Sequence, residues 1–156
     1  MSFKKKLINI NFFNKYFLIF IIFLSLISLI NNCIKALNWS ADFQWHPSTL
    51  LLKGINHYQY FLNGGVGFLS QLGEYGHGLY VILLPYALMD WNTAKFFWMI
   101  TNVTFIFLIP ILICRKFNIS NSLTIIIICI FATSSPTRTC LNYGQQSLFI
   151  MFFFIL

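Results

Sequence analysis

Residues 16–34 and 96–114 contain no Asp, Glu, Lys or Arg. Each is close to the roughly 20 apolar residues that a helix needs to cross a hydrocarbon core. A helix apolar on every side finds no aqueous surface to present, so it is buried deep in protein or in lipid. Composition decides between these. Hydrophobic residues make up 58% of the chain and charged residues 8%, against about 25% charged in a soluble domain. With 19 phenylalanines in 156 residues, the apolar surface exceeds what one aqueous core of this size hides. Lipid is therefore expected to be the solvent for much of the chain, in an all-α, multi-span integral membrane fold.

The formal net charge of +7 does not point to nucleic acid, because the cations form no binding face. Lys4, Lys5, Lys6 and Lys15 precede the first apolar run, and Arg115 and Lys116 separate two later ones. That is the pattern of cytoplasmic loops, which retain Lys and Arg. The first run reads as a retained anchor: it is long for a signal peptide, and Asn31-Asn32-Cys33-Ile34-Lys35 is a poor cleavage site. Cys33, Cys114, Cys129 and Cys140 form no CxxC pair and read as small hydrophobes.

The chain divides into a basic cytoplasmic N-terminus (residues 1–15) and one polytopic membrane domain (16–156), with a large extracytoplasmic loop at about 35–95. The stretch 35–77 is polar and aromatic, holding Asp42, Glu74, His46, His57, His77 and the glycines 64, 65 and 67. Leu51, Ile55, Tyr58 and Leu62 have helical spacing after Pro47, which predicts one interfacial helix over 48–62. Residues 78–89 form a short apolar run broken by Pro85, with Asp90 just beyond it. If that run crosses the membrane, Arg115 and Lys116 fall outside. If it is re-entrant or interfacial, they fall inside and 134–146 faces outward, which the positive-inside rule favours. Residues 119–132 form a shorter span. The chain stops at Leu156 within an apolar run that starts near Leu148, which reads as the N-terminal part of a longer protein.

Asp42 is the focal acid. A carboxylate at the membrane–water boundary can accept a proton from a hydroxyl, although capping a helix is the commoner role of such an Asp. Residues 134–146 form a second polar island, expected either to line a pathway or to be a short hydrated loop. Its Arg138 is suited to clamping a phosphate. The histidines show no metal-ligand spacing, so no metal or other cofactor is expected, though a divalent ion stays open. The glycine cluster lacks the strand and the Lys-Ser/Thr of a phosphate loop and reads as a turn.

In order, the segments are Asp42-Phe43-Gln44-Trp45-His46-Pro47-Ser48, Leu51-Leu52-Lys53-Gly54-Ile55-Asn56-His57-Tyr58, His77-Gly78-Leu79-Tyr80, Pro85-Tyr86-Ala87-Leu88, Ala94-Lys95-Phe96-Phe97-Trp98 with Asn102, and Gly144-Gln145-Gln146-Ser147-Leu148. The series resembles the N-terminal part of the polytopic GT-C glycosyltransferases, in particular glycosyltransferase family 87, the alpha-mannosyltransferase-like group. The resemblance implies a membrane hexosyltransferase of the plasma membrane. It would move a sugar, mannose by this likeness, from a polyprenyl-phosphate donor to an extracytoplasmic glycan or glycolipid acceptor. Asp42 would be the general base of an inverting displacement. Substrate contacts would come from Gln44, His46, Lys53, Asn56, Tyr58, Arg138, Asn142 and Gln145, with Arg138, Lys53 or His46 offsetting phosphate charge and Gln145 near the sugar. The chain departs from the family in having Asn56-His57-Tyr58 where Asn-Pro-Tyr is common, and in being much shorter. A transporter or channel subunit is the alternative, but 96–114 and 119–132 lack the charged residues expected along an ion or substrate path. A non-catalytic membrane scaffold is the third reading.

Overall fold

The computed structural model describes residues 2–71 and 75–156, with residues 2–14 and Ser70 described by backbone alone. Glu74 and the side chains of Lys4, Lys5 and Lys6 lie outside the described residues. The first helix, α1 (Ser2–Asn38), extends beyond the expected 16–34 in both directions. Within it, Lys15–Asn38 is long and apolar enough to cross a membrane, as is α6 (Trp91–Lys116). The pair α7 (Asn121–Thr133) and α8 (Ser135–Tyr143), bent by 56°, makes up to a third such span if its halves are counted as one. The chain closes with α9 (Ser147–Ile155), and no strand occurs among the described residues.

Between α1 and α6 lie four short helices: α2 (Trp45–Leu52), α3 (His57–Leu62), α4 (His77–Ile82) and α5 (Leu84–Ala87). The single helix expected over 48–62 is therefore two. Gly54, at φ +72, ends α2 in the left-handed conformation. Its N–H bonds Leu51 C=O and the Ile55 N–H bonds Leu50 C=O, both at 2.9 Å, the paired stop of a Schellman motif. Asn56 then starts α3 by accepting from the N–H groups of Tyr58 and Gln59. The apolar spacing runs across this break, but the backbone does not. The 78–89 run is likewise split, with Leu83 joining α4 to α5.

The polar island 134–146 is mostly helix. Ser134 caps α8 by accepting from the Thr137 N–H, Pro136 sits in the first turn, and Gly144 ends the helix at φ +71. Thr137, Cys140 and Leu141 turn inward while Arg138 and Thr139 face out. One apolar cluster joins α1, α6, α7, α8 and α9 through Ala36, Ile106, Ile109, Ala132, Leu141 and Leu148. A second joins the loop to α6 through Phe43, Leu83, Ala94 and Trp98. The outer face of α1 has no partner among the described residues: Phe20, Phe23 and Ile30 are more than half exposed, and only 11% of its apolar stretch is buried against 39% for α6. Such a face needs lipid or further helices around it.

Gly54 and Gly144 share a left-handed backbone but differ in surroundings. A Cβ on Gly54 would meet nothing within 4 Å, whereas one on Gly144 would lie 3.0 Å from Phe43 Cβ and 3.2 Å from Ser40 Cβ. Gly54→Ala is expected to cost roughly 1–2 kcal/mol, the left-handed penalty alone. Gly144→Ala should cost more, and Gly144→Asn should recover little because its Cβ still strikes Phe43. Thermal unfolding of the variants in detergent checks this order.

Candidate active site

Four residues turn the chain out of α1 and fix Asp42. Ser40, at φ 38, donates its Oγ–H to Ala36 C=O at 2.6 Å and its N–H to Asn142 C=O at 3.3 Å. The Asp42 N–H bonds Tyr143 C=O at 2.8 Å, so segment 40–42 runs against the end of α8. Phe43 is fully buried. It stacks on Trp98 at 4.9 Å, with Trp91 at 6.0 Å and the edge of Tyr86 at 5.7 Å completing its box. Trp98 in turn donates its indole N–H to Gly144 C=O at 2.8 Å. Phe43 points inward and Asp42, beside it, stays half-buried.

Two consecutive glutamines grip that aspartate. Gln145 Nε2 donates to Asp42 Oδ2 at 3.1 Å, and Gln146 Nε2 donates to Asp42 C=O at 2.7 Å. The other carboxylate oxygen, Oδ1, has no hydrogen bond among the described residues. Asp42 lines a cleft of about 470 Å³ with Asn38, Trp39, Ala41 and Leu69. A neighbouring cleft of about 290 Å³ is lined by Lys35, Trp39, Asn142 and Tyr143. Trp39 belongs to both walls. A half-exposed carboxylate, oriented by one hydrogen bond and open on the other oxygen, can accept a proton from a bound hydroxyl.

The expected substrate residues separate into two groups. Asn142 lines the smaller cleft, Gln145 reaches the larger one only through its hydrogen bond to Asp42, and Arg138 is exposed one turn before Asn142 on α8. Gln44 is buried at the start of α2 with its Oε1 unpartnered. The others serve the loop's own architecture. Asn56 caps α3, Tyr58 donates its hydroxyl to Tyr75 C=O, and Lys53 ends α2, exposed. His46 pins the 68–71 turn: its Nδ1 accepts from the Phe68 N–H at 3.2 Å, and its own N–H bonds Gln71 Oε1 at 2.9 Å. None of these four lines the Asp42 cleft. His57 and His77, far apart in sequence, meet at a ring distance of 4.8 Å, with His57 fully buried.

Sequence reasoning passed over Phe43, Gln146 and Lys35 as parts of the site. Lys35 was legible: Lys35, Asn38 and Trp39 have the spacing that puts three residues on one helix face. The role of Phe43 required knowing that Gly144 lies against it.

Burial, and then the charge of Lys53, hold the His46 imidazole below its usual value of 6.5. The native loop thus favours neutral His46, and protonation would convert the Nδ1 acceptor into a donor facing another N–H. Its contribution is fully present above about pH 6.5 and is lost as pH falls from there through the lowered native value. Protection of the Phe68 amide from hydrogen exchange, taken relative to its intrinsic rate at each pH, should fall as pH drops below about 6.5. His46→Asn, which keeps an acceptor but does not titrate, should flatten that dependence.

The family model for glycosyltransferase family 87 matches residues 75–156. No curated protein and no solved structure matches the chain. The matched segment covers just over half the sequence, from the end of the polar loop through α9, and includes every residue that grips Asp42 from the α8 side. The chain belongs to glycosyltransferase family 87.

Proposed function

We propose that this protein is a membrane glycosyltransferase whose Asp42 is the general base for sugar transfer from a polyprenyl-phosphate donor to an extracytoplasmic acceptor. One observation carries the reading: Gln145, within the family-matched segment, donates to one carboxylate oxygen of Asp42 at 3.1 Å, while Asp42 lines the cleft and its second oxygen has no hydrogen bond among the described residues. Asp42 itself lies outside the matched residues, so this contact is what ties it to the family's chemistry. The acceptor hydroxyl gives its proton to the Asp42 carboxylate as its oxygen forms a bond to the anomeric carbon. The bond from that carbon to the phosphate oxygen breaks, and the lipid phosphate leaves with the electron pair. Attack opposite the leaving group inverts the anomeric centre. The donor sugar is a hexose, with mannose the one the family likeness favours.

The uncovered face of α1 supports a protein that sits in the bilayer with several spans. The Lys and Arg distribution supports a cytoplasmic N-terminus in the plasma membrane, with the Asp42 loop and α8 on the outer side. Arg138, exposed on α8, is available to offset phosphate charge there.

In vesicles supplied with a polyprenyl-phosphate sugar, Asp42→Asn should lower the transfer rate by about 10²–10⁴-fold, the usual contribution of a positioned base. Transfer at the parent rate would remove Asp42 from that role. Orientation is checked separately with single cysteines at two exposed positions in a background lacking the native four. An impermeant thiol reagent added outside intact cells should label Ser135→Cys and spare Asn118→Cys. The opposite pattern would invert the topology.

A further inference from the structure

The smaller cleft beside Asp42 is lined by Lys35, Trp39, Asn142 and Tyr143. Every one of these side chains carries a hydrogen-bond donor: an ammonium, an indole N–H, an amide NH₂ and a phenol. None carries a carboxyl group. Asn142 Oδ1 is buried without a partner among the described residues, and Asn142 lines the cleft. Trp39 and Tyr143 are 66% and 47% exposed, which leaves their polar tips accessible. Arg138, one turn back on α8, adds a second cation close by. Four donors with one fixed positive charge suit an anion rich in acceptor oxygens, and a phosphate is the simplest such group. The two aromatic rings supply an apolar wall beside it, at the end of α1 where the chain leaves its apolar span.

We infer that the Lys35–Trp39–Asn142–Tyr143 cleft seats the phosphate of a prenyl-phosphate lipid. The inference rests on the proposed function and adds a division of labour to it. The cleft with Asp42 takes the acceptor hydroxyl, the donor-lined cleft takes the leaving phosphate, and Trp39 is the partition shared by both. The reacting carbon lies between, with the base and the leaving group on different sides of one side chain. Lys35 stabilises the charge that develops on the phosphate as the bond breaks, and it does so on the far side of Trp39 from the base.

The test uses the protein in phosphatidylcholine nanodiscs and measures binding of farnesyl phosphate. Lys35→Met and Asn142→Ala should each weaken binding about tenfold or more, the loss expected for a charge-assisted contact. Lys35→Arg should restore most of it, and Lys116→Met, exposed at the C-terminal end of α6, should leave it unchanged. Farnesol should bind poorly, and neither inorganic phosphate nor phosphatidylglycerol should displace farnesyl phosphate at equal concentration. Parent-like binding by Lys35→Met overturns the assignment. So does equal displacement by phosphate, which would make this a free-anion site, or by phosphatidylglycerol, which would make it a general headgroup site. Unchanged thermal unfolding of Lys35→Met separates lost contact from lost fold. Asp42→Asn should bind farnesyl phosphate normally. If that variant also transfers sugar normally while Lys35→Met loses binding, the base is misassigned and the phosphate seat stands.

Discussion

The contact between Phe43 and Gly144 holds the candidate site together. Asp42 sits on a short connection after α1, and Gln145 on another after α8. Nothing local would bring them within hydrogen-bond range. Phe43 enters a box of Trp98, Trp91 and Tyr86, and burial of such a ring contributes about 1.5–3 kcal/mol, with well-placed aromatic pairs adding about 0.5–1.5 kcal/mol. Gly144 has no side chain, so segment 40–43 can close to backbone distance. That approach aligns the Ser40 and Asp42 N–H groups with the carbonyls of Asn142 and Tyr143. The two glutamine contacts then follow from register. The site is thus a product of packing on the protein side of the loop.

Much of this fold was legible in the sequence, and the failures have specific causes. The two uncharged runs announced α1 and α6 because their length and composition permit little else. The error over 48–62 came from trusting apolar spacing across Lys53-Gly54, where a left-handed glycine outweighs periodicity. The reading of 134–146 as a polar island was correct for composition but missed its helix. Ser134 and Pro136 are start signals and Gly144 a stop signal, and Thr137, Cys140 and Leu141 have the i, i+3, i+4 spacing of an inward face, so the helix was legible beneath its polar composition. Asp42 could be singled out because acids are so scarce here. Its partners could not be derived, since hydrogen bonds spanning about a hundred residues leave no periodic trace in one sequence.

Several buried polar side chains carry an atom without a partner among the described residues: Gln44, His57, Gln71, Asn102, Asn142 and Gln146. Leaving such a group unsatisfied costs about 1–3 kcal/mol each. Three of these six, Gln44, Asn142 and Gln146, border Asp42 or the Asn142 cleft in sequence or by hydrogen bond. Ser40, at a positive φ, adds backbone strain at the same place. Fixed amide dipoles near a reaction centre have a use that offsets their cost, because they need no reorganisation as charge moves.

The choice of a carboxamide as the partner of Asp42 has a further chemical consequence. A cation in direct contact with a carboxylate favours its charged form and weakens it as a proton acceptor. A glutamine N–H fixes the orientation of one oxygen with a much weaker bias of that kind. The cation Lys35 lines the other cleft, with Trp39 shared between the two walls. A base and an electrostatic stabiliser of opposite charge, set side by side, would pair with each other and leave neither free for substrate. In the proposed mechanism each therefore needs a cleft of its own, and Trp39, which lines both, is a side chain that the two clefts share.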